Sequence, residues 1–437
     1  MRKKTIILLL LSHFLIFSVN SQIIKDSIYN ENIKTVQIYK NGWELSYPVI
    51  ILNSEDKLKL SFDDFNKDLK NYCYTLIHCN ADWEPSDLSF SQFAEGFEQN
   101  QITDHLFSSN TLINYLHYSL VLPNENCNPT ISGNYIIKVY DDFDDKKIVF
   151  MKRFYICENI AAIDLKMLQP EIAKYMKRSQ QFKISVKPNV EDYTDLKTEI
   201  RTFIFQNNPS AGMKTNIISR LGEDNTLFYD DLDSNLFEGG NEYRNFDIKS
   251  TKYQSPRIQK IEFASNSCSI DLYPDELRNR KQYFFDKDLN GNYYIANSLG
   301  INKDRDADYL MVKFSLPLKD PFLEGDVYIY GALTGWECNK TSKMVYNFQT
   351  HSYYLQLLLK QGYYNYLYAF KEHESNEIDL TYLEGNHFET ENDYLVFVYY
   401  KQFSNRYERL IGFTMGNSIK KAEEKKPENK LPGLGGE

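Results

Sequence analysis

Apolar and polar residues alternate along most of this chain with the period of two that a half-buried strand requires. Leu58-Lys-Leu-Ser-Phe62 alternates cleanly before Asp63-Asp64, and residues 115–122 do so before Pro123-Asn124. Residues 33–36, 43–52 and 71–79 read as further early strands, and 133–140 with 147–157 predict a hairpin around the acidic run 141–145. Residues 90–112 are less regular and predict a short helix or a long loop carrying Glu95-Gly-Phe97. Later strands are predicted over 182–186, 199–206, 246–250, 258–263 and 283–285, then over 309–316, 325–330, 353–359, 362–370, 385–390 and 394–400. Short strands at roughly ten-residue spacing, parted by polar turns, indicate β-sandwiches.

Composition strengthens this reading. The chain has 34 Tyr and 28 Phe against 3 Trp, and a ring with a polar tip suits a half-buried strand. The predicted class is therefore all-β, with tandem immunoglobulin-like β-sandwich domains. At ~150 residues per domain, the 437 residues divide into 22–158, 159–305 and 306–416. Residues 1–21 read as a cleaved signal peptide: Arg2-Lys-Lys4, an apolar run over 6–19, and Val19-Asn-Ser21 before Gln22. That run is shorter than the ~20 residues a membrane span needs, so no span is expected. Residues 417–437, rich in Lys, Glu, Pro and Gly, read as a disordered tail.

Charge and cysteines narrow the partners. Removing Arg2, Lys3 and Lys4 takes the formal charge from −10 to −13, and an acidic exported chain is not expected to bind nucleic acid. Six cysteines in an oxidising compartment permit disulfides. Cys73 and Cys79 lie ~20 Å apart at strand rise, too far to bond. Cys79 with Cys127, Cys127 with Cys157, or buried free thiols all remain open.

Candidate chemistry is sparse. No Gly-x-Ser-x-Gly elbow, His-Glu-x-x-His or phosphate-cradling loop occurs. His78, Asp82 and Glu84 cluster at a strand end, but a glycosidase pair needs carboxyls ~5–10 Å apart across a cleft. The favoured reading has Asp82 and Ser86 capping their own turn, His78 satisfied at the sheet edge and Trp83 packing over the turn. The run Asp286-Lys-Asp-Leu-Asn-Gly-Asn292 mimics the first half of a calcium loop, but its twelfth position is Asn297 rather than Glu. With Asn290-Gly291 at its centre it predicts a β-hairpin instead. Neither metal nor cofactor is expected.

His78-Cys-Asn-Ala-Asp-Trp83, Pro85-Ser-Asp-Leu88, Glu95-Gly-Phe97, Phe107-Ser-Ser-Asn-Thr111, His117-Tyr118 and Ser132-Gly-Asn-Tyr135 together resemble the type IX secretion system plug proteins. The resemblance implies a non-enzymatic periplasmic protein that seals the periplasmic mouth of the outer-membrane translocon barrel while no substrate passes. On that reading the irregular segment 82–97 is the candidate contact surface, with Asp82, Trp83, Pro85, Asp87 and Phe97 meeting the barrel. A second resemblance points elsewhere. Val327-Tyr-Ile-Tyr-Gly-Ala-Leu-Thr-Gly-Trp336 and Gly362-Tyr-Tyr-Asn-Tyr366 are similar to early-set immunoglobulin-like glycan-binding modules, which implies a carbohydrate-binding accessory protein. Trp336, with Tyr353 or Tyr354, would then be the sugar platform, although packing in the core or at the sandwich edge is the favoured reading of Trp336.

Overall fold

The structure is a computed structural model that describes residues 25–419 apart from 67, 192, 210–213, 215–216 and 376. The predicted signal peptide and all but the first three residues of the predicted tail lie outside the described residues.

The first sandwich is built as the alternation predicts. One sheet runs in the order Ile33–Lys40, Leu58–Asp64, Leu116–Leu122, Asp104–Phe107. The facing sheet runs Ser27–Ile28, Ile148–Cys157, Gly133–Asp141, Tyr72–Cys79, Asn100–Gln101, with Val49–Ile51 added in parallel. The hairpin around 141–145 is present, with Tyr135 opposite Phe154. Leu58, Leu60, Phe62, Tyr74, Tyr118 and Phe150 fill the space between the sheets. Residues 90–112 hold a single helical turn, Phe90–Phe93, followed by three short strands. Of 43–52 only Val49–Ile51 is strand, and Trp43 sits in an exposed turn.

The remaining chain does not divide at 305. Strand pairing assigns Ala162–Leu168, Ser179–Lys187, Leu227–Tyr229, Arg220–Leu221 and Leu236–Glu238 to one sheet of a second sandwich. Its facing sheet is Ile200–Gln206, Asp393–Tyr400, Arg409–Asn417, so the second sandwich is completed by the end of the chain. Between these halves lies a third sandwich. Its sheets are Arg244–Asp247, Gly362–Glu372, Tyr293–Ile295 with Gly325–Tyr330, and Ile258–Ala264, Ser267–Leu272, Tyr309–Pro317, Ser352–Lys360, Val345–Asn347. The expected boundaries 159–305 and 306–416 are thus corrected to an insertion. Ile200 pairs with Tyr400, and a ladder between residues so distant leaves no trace in a local period.

Two sandwiches share a seam. Along Asp393–Tyr400, Val396 and Val398 face the second sandwich's own core, while Leu395, Phe397 and Tyr399 face the first sandwich. Along Gly133–Asp141, Ile137 and Val139 face inward while Ile136 joins Leu395 and Phe397 in the seam. Four sheets therefore stack, and the two inner ones are buried on both faces. Both read as near-continuous apolar runs for that reason.

Two expected strands and an expected hairpin are corrected, and one of the open cysteine alternatives is met. Residues 283–285 and 385–390 form no strand. Asn290 and Gly291 do take the left-handed conformation of the turn, at φ 50° and 82°, but no hairpin follows because Tyr293–Ile295 pairs with Gly362–Tyr364 instead. All six cysteines are free, and five are buried. Burial pushes the Cys79, Cys127 and Cys157 thiols up to about 12, so they behave as small apolar groups.

Candidate partner-contact site

The strand Tyr72–Cys79 ends in a turn held by its own backbone. The Asn80 amide donates to the Glu84 carbonyl at 2.9 Å, Trp83 to Asn80 at 2.9 Å, and Ser86 to His78 at 2.9 Å. Asp82 Oδ1 caps the turn by accepting from the Glu84 amide at 3.2 Å. Trp83 takes a left-handed φ of 69°, which reverses the chain within three residues and turns the indole back under the sheet.

His78 is an integral part of this corner. Its Nε2 lies 3.1 Å from the Ser132 carbonyl, which can only accept, so Nε2 carries the proton and Nδ1 accepts from the Ser86 hydroxyl at 2.8 Å. The ring packs on Tyr135 and Tyr407. A Cβ at Gly133 (φ 146°) would stand 2.4 Å from Nε2, so only glycine fits there. Burial lowers the His78 pKa to about 4. The imidazole is neutral near pH 7 and both nitrogens are occupied, which leaves it no acid–base role.

The indole of Trp83 is 7% exposed and lies in the seam between the first two sandwiches. Its ring meets Tyr155 edge-on, and the Arg153 guanidinium sits 4.2 Å from the ring centroid. The expectation of an exposed Trp83 anchor is therefore corrected: an apolar ring beside two sheets is worth more buried than wet. The rest of the motif reaches across the same seam. Ala81 N donates to Glu408 Oε2 at 2.8 Å, Asn80 Oδ1 accepts from Glu408 N at 3.1 Å, and Arg201 pairs with Glu408 at 2.7 Å. Asn134 Nδ2 donates to the Asn80 carbonyl at 3.0 Å, and Tyr399 donates to Asn134 Oδ1 at 2.6 Å. The most distinctive stretch of the sequence is thus a staple between domains.

Asp82, Pro85 and Asp87 remain on the outside of this turn, and Arg406 pairs with Asp87 at 3.2 Å. Phe97 is 65% exposed at the end of the short strand Ala94–Gly96, and its amide donates to the Asn126 carbonyl at 2.8 Å. The glycan trio is not assembled. Trp336 is half-buried against Tyr330 and Tyr243, while Tyr353 is a core residue whose hydroxyl accepts from the Phe322 amide at 2.8 Å. Tyr354 points outward from the other sheet of the sandwich, opposite Val345.

Sequence reasoning missed a second seam, between the first and third sandwiches. Asp63 is fully buried and receives Lys360 at 2.6 Å, the Tyr309 hydroxyl at 2.6 Å and His117 Nδ1 at 2.7 Å. Burial pulls the Lys360 ammonium below its usual pKa, against the attraction of Asp63. Around this core, Lys59 pairs with Asp304 and Lys303 with Glu44. The only signal available was an Asp63-Asp64 pair ending an apolar strand, which reads as a solvated turn.

Among the described residues no three His, Cys, Asp or Glu side chains converge to hold a metal ion, and no helix is long and apolar enough to cross a membrane. Residues 33–158 match the family model described as the type 9 secretion system plug protein 1st domain. A crystal structure of a hypothetical protein from Parabacteroides merdae is similar at 32% identity and a TM-score of 0.86, covering 90% of this chain and 98% of that one. Salmonella alpha-2-macroglobulin aligns at 9% identity with a TM-score of 0.19, over 90% of this chain and 24% of its own, and carries no argument. No curated protein matches the chain.

Proposed function

Because this chain belongs to the type 9 secretion system plug protein family, we propose that it is a non-enzymatic periplasmic plug. It seals the periplasmic opening of the outer-membrane translocon barrel while no substrate is in transit. The match of residues 33–158 to the plug's first domain carries this reading. Physical support comes from the seams. A stopper for a wide pore must be broad and stiff, and here three sandwiches are joined by an apolar seam, a charged seam and a hydrogen-bonded staple. Asp82, Pro85, Asp87 and Phe97 supply exposed contact positions on the first sandwich, while Trp83 acts from beneath as the prop of the turn. An interface that must release when substrate arrives suits a polar rim around a few aromatic anchors.

The test is affinity purification of the tagged protein from its native envelope, with mass spectrometry of what accompanies it. Recovery of a very large outer-membrane barrel protein is the expected outcome. Failure to recover a barrel, with retention on polysaccharide resin that Trp336→Ala abolishes, would replace the plug with the glycan-binding reading.

A further inference from the structure

The third sandwich is not held to the rest of the molecule as the first two are held to each other. Among the described residues no apolar cluster crosses its border. Its two clusters draw only on residues between 246 and 383, whereas one cluster is shared by the first and second sandwiches. Across the border with the first sandwich the contacts are ionic or hydrogen-bonded. Asp63 meets Lys360 at 2.6 Å, Lys59 meets Asp304 at 2.9 Å, and the Leu112 amide donates to Asp308 at 2.7 Å. The aromatic part of that contact is the Tyr309 ring, which meets Phe65 and Tyr115 edge-on. The border is also loosely filled. Cavities of about 150, 330 and 680 Å³ open along it. The largest lies between Gln206, Phe237 and Glu238 of the second sandwich and Tyr330, Trp336 and Asp379 of the third. A packed interior leaves few voids larger than a water molecule, so these faces meet without the interlocking of a core.

The chain enters and leaves this sandwich side by side, and the two crossings are bonded to each other, His387 N donating to the Gly240 carbonyl at 2.8 Å. Toward the second sandwich they are tied by the Gly239 amide to the Arg178 carbonyl at 2.7 Å and by the Phe388 amide to Lys177 at 3.1 Å. Toward the third, Asn241 Nδ2 donates to the Glu384 carbonyl at 2.7 Å, and the Glu384 carboxylate is clamped by Arg244 and Arg278. Gly240 and Gly385 stand between these two anchorages, at φ 68° and 87°, where rotation of the backbone carries no Cβ with it. We propose that the third sandwich is a hinged unit that swings on Gly240 and Gly385, with the Asp63–Lys360 cluster as its catch. Closed, the ion pair fixes one orientation; disrupting it is enough to free the unit, because no shared core opposes the motion. Relative movement is the default for domains whose interface is not a large apolar one, and hinges are a few loop positions that absorb the change in φ and ψ. Such a hinge is a property of the chain whatever partner it meets.

The test is a pulsed electron-spin distance measurement between labels at Gln99→Cys and Lys340→Cys, exposed positions on the first and third sandwiches. Cys338→Ser serves as the background, since the other five cysteines are buried. A control pair, Gln99→Cys with Lys197→Cys, spans the first and second sandwiches. Lys360→Met should lengthen and broaden the first distance and leave the control unchanged. Lys303→Ala, which removes only the marginal pair with Glu44, should do the same to a smaller extent. In the parent, hydrogen exchange should find the Leu112 and Ile113 amides, which donate to Asp308 across the border, about tenfold faster or more than strand amides such as Val312 and Leu367. A first distance unchanged in both variants would overturn the hinge. So would broadening of the control pair alongside the first, or border amides that exchange only at the rate of the third sandwich's interior.

Discussion

The first sandwich is joined to its two neighbours by seams of opposite character. Toward the second it offers Ile136, Met151, Tyr155 and Trp83, which pack on Phe203, Leu395 and Phe397. Toward the third it offers Asp63, buried and bound to Lys360, Tyr309 and His117. An apolar seam draws its strength from area, loses it gradually as atoms are removed, and is indifferent to small misalignments. A buried ion pair adds little net stability over an apolar substitute, but it is unforgiving: either partner alone is an uncompensated charge. The first seam glues, and the second fixes one orientation of the third sandwich against the first.

That contrast can be broken in graded steps. The largest effect should come from Lys360→Met, which leaves Asp63 charged and buried; a loss of about 3–5 kcal/mol is expected from chemical denaturation. Adding Asp63→Leu should restore part of it. If the single variant is as stable as the parent, the charged seam has been misread. Trp83→Ala comes next, at about 3 kcal/mol for the cavity it opens between the sheets, measured the same way.

The third step is pH. His78 stays neutral when folded, with a pKa of about 4, whereas unfolded it takes up a proton below its ordinary value near 6.5. Its contribution is fully present above about 6.5 and is lost as pH falls toward 4. At pH 5 the loss is about 2 kcal/mol. A His78→Gln variant, less stable at pH 7, should show a correspondingly shallower pH slope; equal slopes would remove His78 as the cause. The smallest effect is expected from Phe97→Ser, within about 0.5 kcal/mol for an exposed position. On the plug reading it should lower barrel recovery while leaving the unfolding temperature unchanged.

Much of the strand inventory was legible because alternation is local. Leu58 to Phe62 reads correctly because one face meets a core and the other does not. Partnership was not legible. Asp63 and Lys360 are both ordinary surface residues by type, and nothing near either announces the other. The strand Arg409–Asn417 escaped notice for a different reason: it carries Gly412 and Gly416, residues that weaken a strand. The structure explains them, since a Cβ at Gly412 would lie 2.9 Å from Ala161 and Ile163, and one at Gly416 2.9 Å from Leu165. Trp83 was read in two ways, as packing over its turn and as a contact for the barrel, and its burial in the seam agrees with the first and overturns the exposed anchor. A Trp among Asp, Glu and Pro looks wet, and only the left-handed φ of that residue folds it inward.

The insertion of the third sandwich into the second sets an order of events for a chain made from its amino end. Among the described residues the strand Ile200–Gln206 pairs along its whole length with Asp393–Tyr400, and on its other edge makes a single bridge from Ile204 to Lys214. Until that strand arrives, Phe203 and Phe205 lack the neighbours that cover them in the finished molecule, Leu395 and Phe397. The first sandwich is complete by Cys157 and the third by Glu372, so each can close while the second stands open. Ladders this distant are slow to form, and open edges of this kind are where chains aggregate. The final twenty-odd described residues are thus the latch of the whole assembly, and a ribosome stalled or a protease cutting just before Asp393 would release a protein with two finished domains and one sticky half.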